Sequence, residues 1–308
     1  MTPTSVRRAA PLHLPRLGVG ALTWGSTGRR GSEGPDEERR AFEASVAAGA
    51  TLIDTAEVYG WGLSERRVGE LARGRDALIA TKFLPLPGRS AGSVERALAA
   101  SLSRLATDSV DLYQVHFPVP WIPIRGLMDR MADAVEAGRV RAVGVSNFSP
   151  RQTRLAHAAL ARRGVPLASN QVNHSLILRR AEADGLLDTC RELGVTLIAY
   201  CPLAQGVLTG KHSPDARRAG PRRHLPPFRR RDGEALAPLL ARLRAIAERH
   251  GRTPAQVALR WLIEQGGVLP IPGARSGRQA ADNAGALSFA LDREEWDELD
   301  AATRRWRR

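Results

Sequence analysis

The chain has 308 residues, room for one large domain or two modest ones, and its 46 Lys+Arg against 32 Asp+Glu leave a formal charge of +14. At 43% hydrophobic and 25% charged it has the composition of a folding sequence, which excludes disorder of the whole chain. It has no uncharged run of ~18 apolar residues to span a membrane, and Cys190 and Cys201, its only cysteines, are too few for a disulfide framework or a four-thiolate metal site.

The charge first suggests a polyanionic partner such as nucleic acid. Its makeup argues otherwise. Only Lys82 and Lys211 are lysines, and the abundance of Arg alongside Ala, Gly and Pro is the mark of a GC-rich coding bias. The arginine runs (Arg29-Arg30, Arg39-Arg40, Arg222-Arg223, Arg229–Arg231 and the segment Arg304–Arg308) are scattered, and Glu37, Glu38, Asp232 and Glu234 dilute several of them. No nucleic-acid or membrane partner is expected; the oligomeric state is left open. Pro11, His13, Pro15 and Arg16 interrupt any apolar run after Arg7-Arg8, so no signal peptide is read there, and the expected compartment is the reducing cytoplasm.

Short β-branched or Leu-rich runs alternate with longer amphipathic stretches. The predicted strands are Leu17–Leu22, Thr51–Asp54, Ala77–Lys82, Asp111–His116, Val140–Ser146, Ala168–Val172, Thr196–Tyr200 and Val268–Ile271. Between the third and fourth, Val94, Leu98, Leu102 and Leu105 recur at helical spacing. Ser149-Pro150-Arg151-Gln152 and Thr253-Pro254-Ala255-Gln256 each combine an N-cap, a proline at the first helical position and a Gln placed for a capping box. Eight such units predict an α/β fold of the (β/α)8 TIM-barrel type, a single domain over 1–308 with long loops at its C-terminal face. A doubly wound sheet is disfavoured, because Gly18, Gly20 and Gly25 miss the dinucleotide fingerprint. The span 212–232, dense in Arg, Pro and His, is expected to be an irregular basic loop.

In a barrel of this kind ligand chemistry gathers at the C-terminal strand ends. There the sequence places Asp54 with Tyr59 close behind it, then Lys82, His116, Ser146-Asn147, Gln171 and Tyr200, successive strand ends lying 25 to 34 residues apart. Asp54, Tyr59, Lys82 and His116 make a proton-donating site for a carbonyl. A phenol with a reference pKa of about 10 gives up its proton more readily beside an ammonium; Asp54 would hold Lys82 charged, and neutral His116 would orient the carbonyl oxygen.

These segments resemble the aldo-keto reductase family: Ile53-Asp54-Thr55-Ala56-Glu57-Val58-Tyr59-Gly60, Thr81-Lys82, Asp111-Leu112-Tyr113-Gln114-Val115-His116, Gly144-Val145-Ser146-Asn147-Phe148, Asn170-Gln171-Val172-Asn173, and the stretch from Tyr200-Cys201-Pro202 to Gly210-Lys211. The ending Ile271-Pro272-Gly273-Ala274-Arg275-Ser276, with Asn283 beyond it, looks most like the branch holding plant and bacterial pyridoxal reductases and broad-range carbonyl reductases.

The resemblance implies an NADPH/NADP+-dependent oxidoreductase acting on a small-molecule carbonyl substrate, with Tyr59 as general acid and Asp54, Lys82 and His116 in support. It implies that Ser146, Asn147 and Gln171 bond the nicotinamide carboxamide, that Tyr200 stacks on the ring, and that Pro202, Leu203, Gln205, Gly206 and Lys211 follow the pyrophosphate. Gly273, Ala274, Arg275, Gln279 and Asn283 would meet the adenosine end, with Arg275 on a 2′-phosphate. Trp24, Phe117 and Trp121 are expected to wall the substrate pocket. Cys201, Phe117 and His174 depart from the residues usual in the family. The alternative function is a regulatory NADPH sensor with a vestigial site; metal chemistry is unsupported, since no His pair has ligand spacing.

Overall fold

A computed structural model of the chain describes residues 12–26, 33–210 and 230–307. Eight parallel strands pair in chain order, β1 (Gly18–Gly20), β2 (Leu52–Asp54), β3 (Leu78–Phe83), β4 (Val110–Val115), β5 (Val140–Ser146), β6 (Leu167–Asn173), β7 (Thr196–Tyr200) and β8 (Val268–Ile271). A parallel bridge between Gly20 and Gly273 and the bond from Gly20 N–H to the Pro272 carbonyl (3.1 Å) close the sheet into a (β/α)8 barrel. The expected strand Leu17–Leu22 shortens to three residues, and its glycines carry the closure. A Cβ on Gly18 would stand 2.8 Å from the Leu52 carbonyl oxygen and 3.0 Å from Ile271.

Helices cover the outside: α1 (Pro35–Ala47), α2 (Leu63–Ala72), α3 (Ser93–Leu105), α4 (Ile124–Glu136), α5 (Pro150–Ala161), α6 (Arg180–Ala183), α7 (Leu186–Glu192), α8 (Arg230–Arg249), α9 (Pro254–Glu264), α10 (Gly277–Ala284) and α11 (Arg293–Thr303). The stripe Val94, Leu98, Leu102 and Leu105 is buried on α3 as its spacing predicts. Both capping boxes form, at Ser149/Gln152 on α5 and Thr253/Gln256 on α9, and a third at Asp292/Glu295 starts α11. Because α8 already begins at Arg230, the last three residues of the expected loop 212–232 are helical; the rest of that loop, and Lys211, lie outside the described residues.

Two apolar clusters form among the described residues. The larger fills the space between helices and sheet, around Phe42, Leu98, Met128 and Trp261. The smaller, Leu52, Ala80, Leu112, Ala142, Ile198, Leu269 and Ile271, fills the barrel interior. Successive strand residues point to opposite faces, so the residues two places further along the same inward faces are Asp54, Lys82, Gln114, Gly144 and Tyr200. The barrel lining therefore changes from hydrocarbon to hydrogen-bonding groups in the strand direction. That change positions the site. No described helix is long and apolar enough to cross a membrane.

Candidate active site

Lys82 is fully buried, and its ammonium has three partners at the C-terminal end of β3. It donates to Asp54 Oδ2 (2.6 Å), to the Thr55 carbonyl (2.8 Å) and to Tyr59 Oη (3.5 Å). Burial works against the ammonium, but Asp54 and the phenol outweigh it and hold the Lys82 pKa above its ordinary value. Asp54 is held from both sides, since Oδ1 accepts from Gln171 Nε2 (2.8 Å) and Gln114 Nε2 (3.2 Å). A buried carboxylate with a cation on one oxygen and two amide donors on the other is well satisfied.

Tyr59 opens a tight 3-10 turn, Tyr59–Gly62, in which Gly60, Trp61 and Gly62 all have left-handed φ values of 56°, 54° and 88°. Glycines on both sides make room for this turn, which aims the phenol back over the barrel; Trp61 is itself strained and 90% exposed. Sequence reasoning expected Lys82 to bring the Tyr59 pKa down. The structure reverses the net direction: burial pushes the phenol up, and Lys82 opposes this without overcoming it. Lys82 thus limits a rise that would otherwise be larger.

The His116 ring lies 6.0 Å from that of Tyr59 at 79° and stacks on Phe117 at 4.8 Å. Burial, with a contribution from the Lys82 charge, lowers the His116 pKa to about 3. The imidazole is therefore neutral near pH 7, with one ring N–H to donate and the other nitrogen an acceptor. Its Nδ1 is buried without a partner among the described residues. The shift has a sign that can be measured. An unfolded His116 takes a proton near 6.5 that the folded one refuses until about 3, so stability falls as pH drops through that window, by at most about 1.4 kcal/mol per pH unit for one proton. Urea unfolding midpoints should decline from pH 7 to 4, and His116→Asn should flatten part of that slope.

On the neighbouring strands a second network forms. Ser146 Oγ donates to the Gln171 carbonyl (2.8 Å), and Asn147 Nδ2 donates to the His116 carbonyl (3.1 Å) and Ser146 Oγ (3.0 Å). The Tyr200 hydroxyl donates to Asn147 Oδ1 (3.1 Å). Six non-glycine residues of the described chain have left-handed backbone, and five of them, Trp61, Asn147, Cys201, Ala204 and Gln205, follow strand ends on this face. Strain gathers where function needs fixed geometry. Pro202, Leu203, Gln205 and Gly206 lie in or beside the 3-10 turn Ala204–Thr209 after β7.

Beyond β8, Asn283 Nδ2 donates to the Gly273 carbonyl (3.3 Å) and Gln279 Oε1 accepts from Arg275 N–H (2.9 Å), so these two side chains brace the loop that carries Ala274 and Arg275. Arg275 has a buried Nε with no partner among the described residues.

Of the three expected pocket walls, Trp24 is corrected. It is 0% exposed, and its Nε1 donates to the Ala274 carbonyl (2.8 Å), tying the loop after β1 to the loop after β8. It offers no surface to a substrate in this structure. Phe117 and Trp121 are exposed on the loop after β4. His174, one of the departures, is buried outside the barrel against Gln265 (2.8 Å). Sequence reasoning passed over two polar residues here. Gln114 sits two places before His116 on one inward face, and Glu57 Oε1 holds the loop after β3 through Leu84 N–H (2.6 Å) and Arg89 (2.5 Å). The strand period was the available signal for Gln114; Glu57 had none. No cluster of three or more potential metal ligands occurs among the described residues.

Comparison with known proteins gives the family and the fold. The model of the Aldo/keto reductase family matches residues 16–304. The chain is 38% identical to the chloroplastic pyridoxal reductase of Arabidopsis thaliana, over 96% of this chain and 85% of that protein. Among solved structures it resembles the glycerol dehydrogenase of Gluconobacter oxydans (TM-score 0.84, 28% identity, 99% of this chain and 96% of that one). It also resembles an aldo-keto reductase of Klebsiella pneumoniae in complex with NADPH (TM-score 0.75, 30% identity, 98% of this chain and 96% of that one). By barrel, strand-end constellation and matched length, the chain belongs to the aldo/keto reductase family.

Proposed function

We propose that the protein reduces an aldehyde or ketone to the alcohol with NADPH, Tyr59 giving the proton. The observation that carries this reading is the buried Lys82, bonded at once to Asp54 and to the Tyr59 hydroxyl. The phenol donates to the carbonyl oxygen while His116, neutral, donates from the other side. As the proton leaves, Lys82 stabilises the phenolate. Asp54 keeps Lys82 charged throughout.

The residues present fit NADP(H), which supplies the hydride when bound. The Gln171 amide oxygen is left over after its nitrogen is committed to Asp54, Ser146 and Asn147 are already ordered beside it, and the ring of Tyr200 is fixed through its hydroxyl. These would hold the nicotinamide end, Pro202, Leu203, Gln205 and Gly206 the pyrophosphate, and Gly273, Ala274, Arg275, Gln279 and Asn283 the adenosine end. The Arg275 guanidinium, whose Nε has no partner among the described residues, suits a 2′-phosphate, a dianion it can bond twice. A reducing cytoplasm would supply this cofactor and suit two unpaired cysteines.

The substrate side is apolar. Among the described residues, exposed large hydrophobics other than Leu155 are Leu22, Trp61, Leu63, Leu86, Phe117 and Trp121, all in segments that follow β1 to β4. That half of the rim favours a bulky or aromatic carbonyl. The test is NADPH oxidation across a carbonyl panel including pyridoxal, 4-nitrobenzaldehyde and glyceraldehyde. Aromatic aldehydes should be turned over best; tight NADPH binding with no turnover on any carbonyl would sink the reductase reading in favour of a sensor. Arg275→Leu should raise the KM for NADPH roughly ten- to a hundredfold, from the loss of charge-assisted bonds, and leave that for NADH nearly unchanged.

A further inference from the structure

Inside the barrel, Asp54, Gln114 and Gln171 form a closed triangle. Gln171 Nε2 donates to Asp54 Oδ1 (2.8 Å) and to Gln114 Oε1 (3.4 Å), while Gln114 Nε2 donates to the same Asp54 oxygen (3.2 Å). The amide orientations follow from chemistry. Asp54 is an acceptor towards both amides, so each must turn its nitrogen to it, and the oxygen of Gln114 is then left to take the second N–H of Gln171. With both hydrogens of its nitrogen engaged, Gln171 can offer only its oxygen to a ligand.

Space has been made for this arrangement. Gln114 is in register with Gly144 on β5, and a Cβ at Gly144 would stand 2.9 Å from Gln114 Cγ and 2.4 Å from Ser169 Oγ. Any other residue there would displace the Gln114 side chain.

We propose that Gln114 is a positioning residue that fixes the Gln171 amide, oxygen outward, to accept from the nicotinamide carboxamide. Through the shared Asp54 oxygen it also joins cofactor recognition to the Asp54–Lys82–Tyr59 chain. This rests on the cofactor placement proposed above. It explains why a strand otherwise lined by Leu112 turns polar two places before His116.

Two variants test it, with NADPH affinity, measured by fluorescence titration, as the readout. Gln114→Leu is close in volume but removes both contacts and should raise the NADPH Kd by roughly five- to tenfold, about one neutral hydrogen bond's worth. Gln114→Glu is nearly isosteric. Its neutral acid can donate to Asp54 and accept from Gln171, whereas its carboxylate would face Asp54. The titratable groups around it are Asp54 on β2, Lys82 in register on β3, and His116 on β4 itself; β5 and β6 present only Gly144, Ser169 and Gln171. The Kd of Gln114→Glu divided by that of the parent protein, which cancels shared titrations, should be close to one at the acid end of the accessible range and rise several-fold as the glutamate ionises. A merely structural role would lower the unfolding midpoint without making that ratio depend on pH. A flat ratio, together with a Gln114→Leu Kd within twofold of the parent, would overturn the proposal. Because affinity is measured, absence of turnover in the parent protein would count against the reductase reading alone.

Discussion

Tyr59→Phe should reduce kcat for carbonyl reduction by roughly a hundred- to ten-thousandfold, the range a positioned general acid contributes, while NADPH affinity stays within about twofold. The substitution removes one oxygen. The ring keeps its place against His116 (centroids 6.0 Å apart) and beneath the Lys82 ammonium, which lies 5.0 Å from its centroid. The pocket therefore keeps its shape, and the loss can be assigned to the proton. Direction of reaction gives a second handle. Reduction needs the phenol and oxidation the phenolate, and burial holds the Tyr59 pKa above its ordinary value, so reduction should run with a broad plateau through neutral pH. Alcohol oxidation should keep rising into the alkaline range. His116, neutral above about 3, adds no acid limb between pH 5 and 8. Stopped-flow or steady-state pH profiles in both directions check this, and coincident optima would remove Tyr59 as the titrating group.

The convergence of these residues is legible in the sequence, because the barrel repeats a unit and the unit has a period. Asp54, Lys82, His116, Ser146, Gln171 and Tyr200 recur at strand ends, and strand ends in a closed parallel barrel converge. What could not be read was the balance of opposed terms. The lysine beside Tyr59 was legible, but the desolvation that outweighs it depends on how deeply the turn Tyr59–Gly62 folds over the barrel. Trp24 was misread for a related reason. An aromatic residue just after a strand can face the mouth or the core, and only the return of the chain after β8, with the Ala274 carbonyl at 2.8 Å, decides it. Gln114 was overlooked because an amide inside a motif shows no partner in one dimension; Asp54 and Gln171, which give it its role, lie 60 and 57 residues away.

Lys82→Met should be the most damaging single change to both stability and turnover. The side chain is 0% exposed and its ammonium lies 2.6 Å from a carboxylate that is itself 3% exposed. Removing the cation leaves Asp54 buried with two amide donors on Oδ1 and none of the charge it was paired with. Breaking a buried pair in this way costs about 3–5 kcal/mol, to be measured as a lower urea midpoint at unchanged m-value. Tyr59 suffers in parallel, since the charge that opposed its rise is gone, and kcat should fall at least as far as in Tyr59→Phe. Arginine is no substitute. Its planar fork cannot take the place of an ammonium that bonds a carboxylate, a carbonyl and a phenol from one atom. A double-mutant cycle separates the two consequences. Asp54→Asn with Lys82→Met removes both charges, so the pair should be less destabilised than the sum of its members, while turnover stays as low as in Lys82→Met alone. Full additivity in stability would mean that the two groups do not form a coupled pair. Recovery of turnover in the double variant would mean that the ammonium serves only to neutralise Asp54, and that the Tyr59 proton leaves without its help.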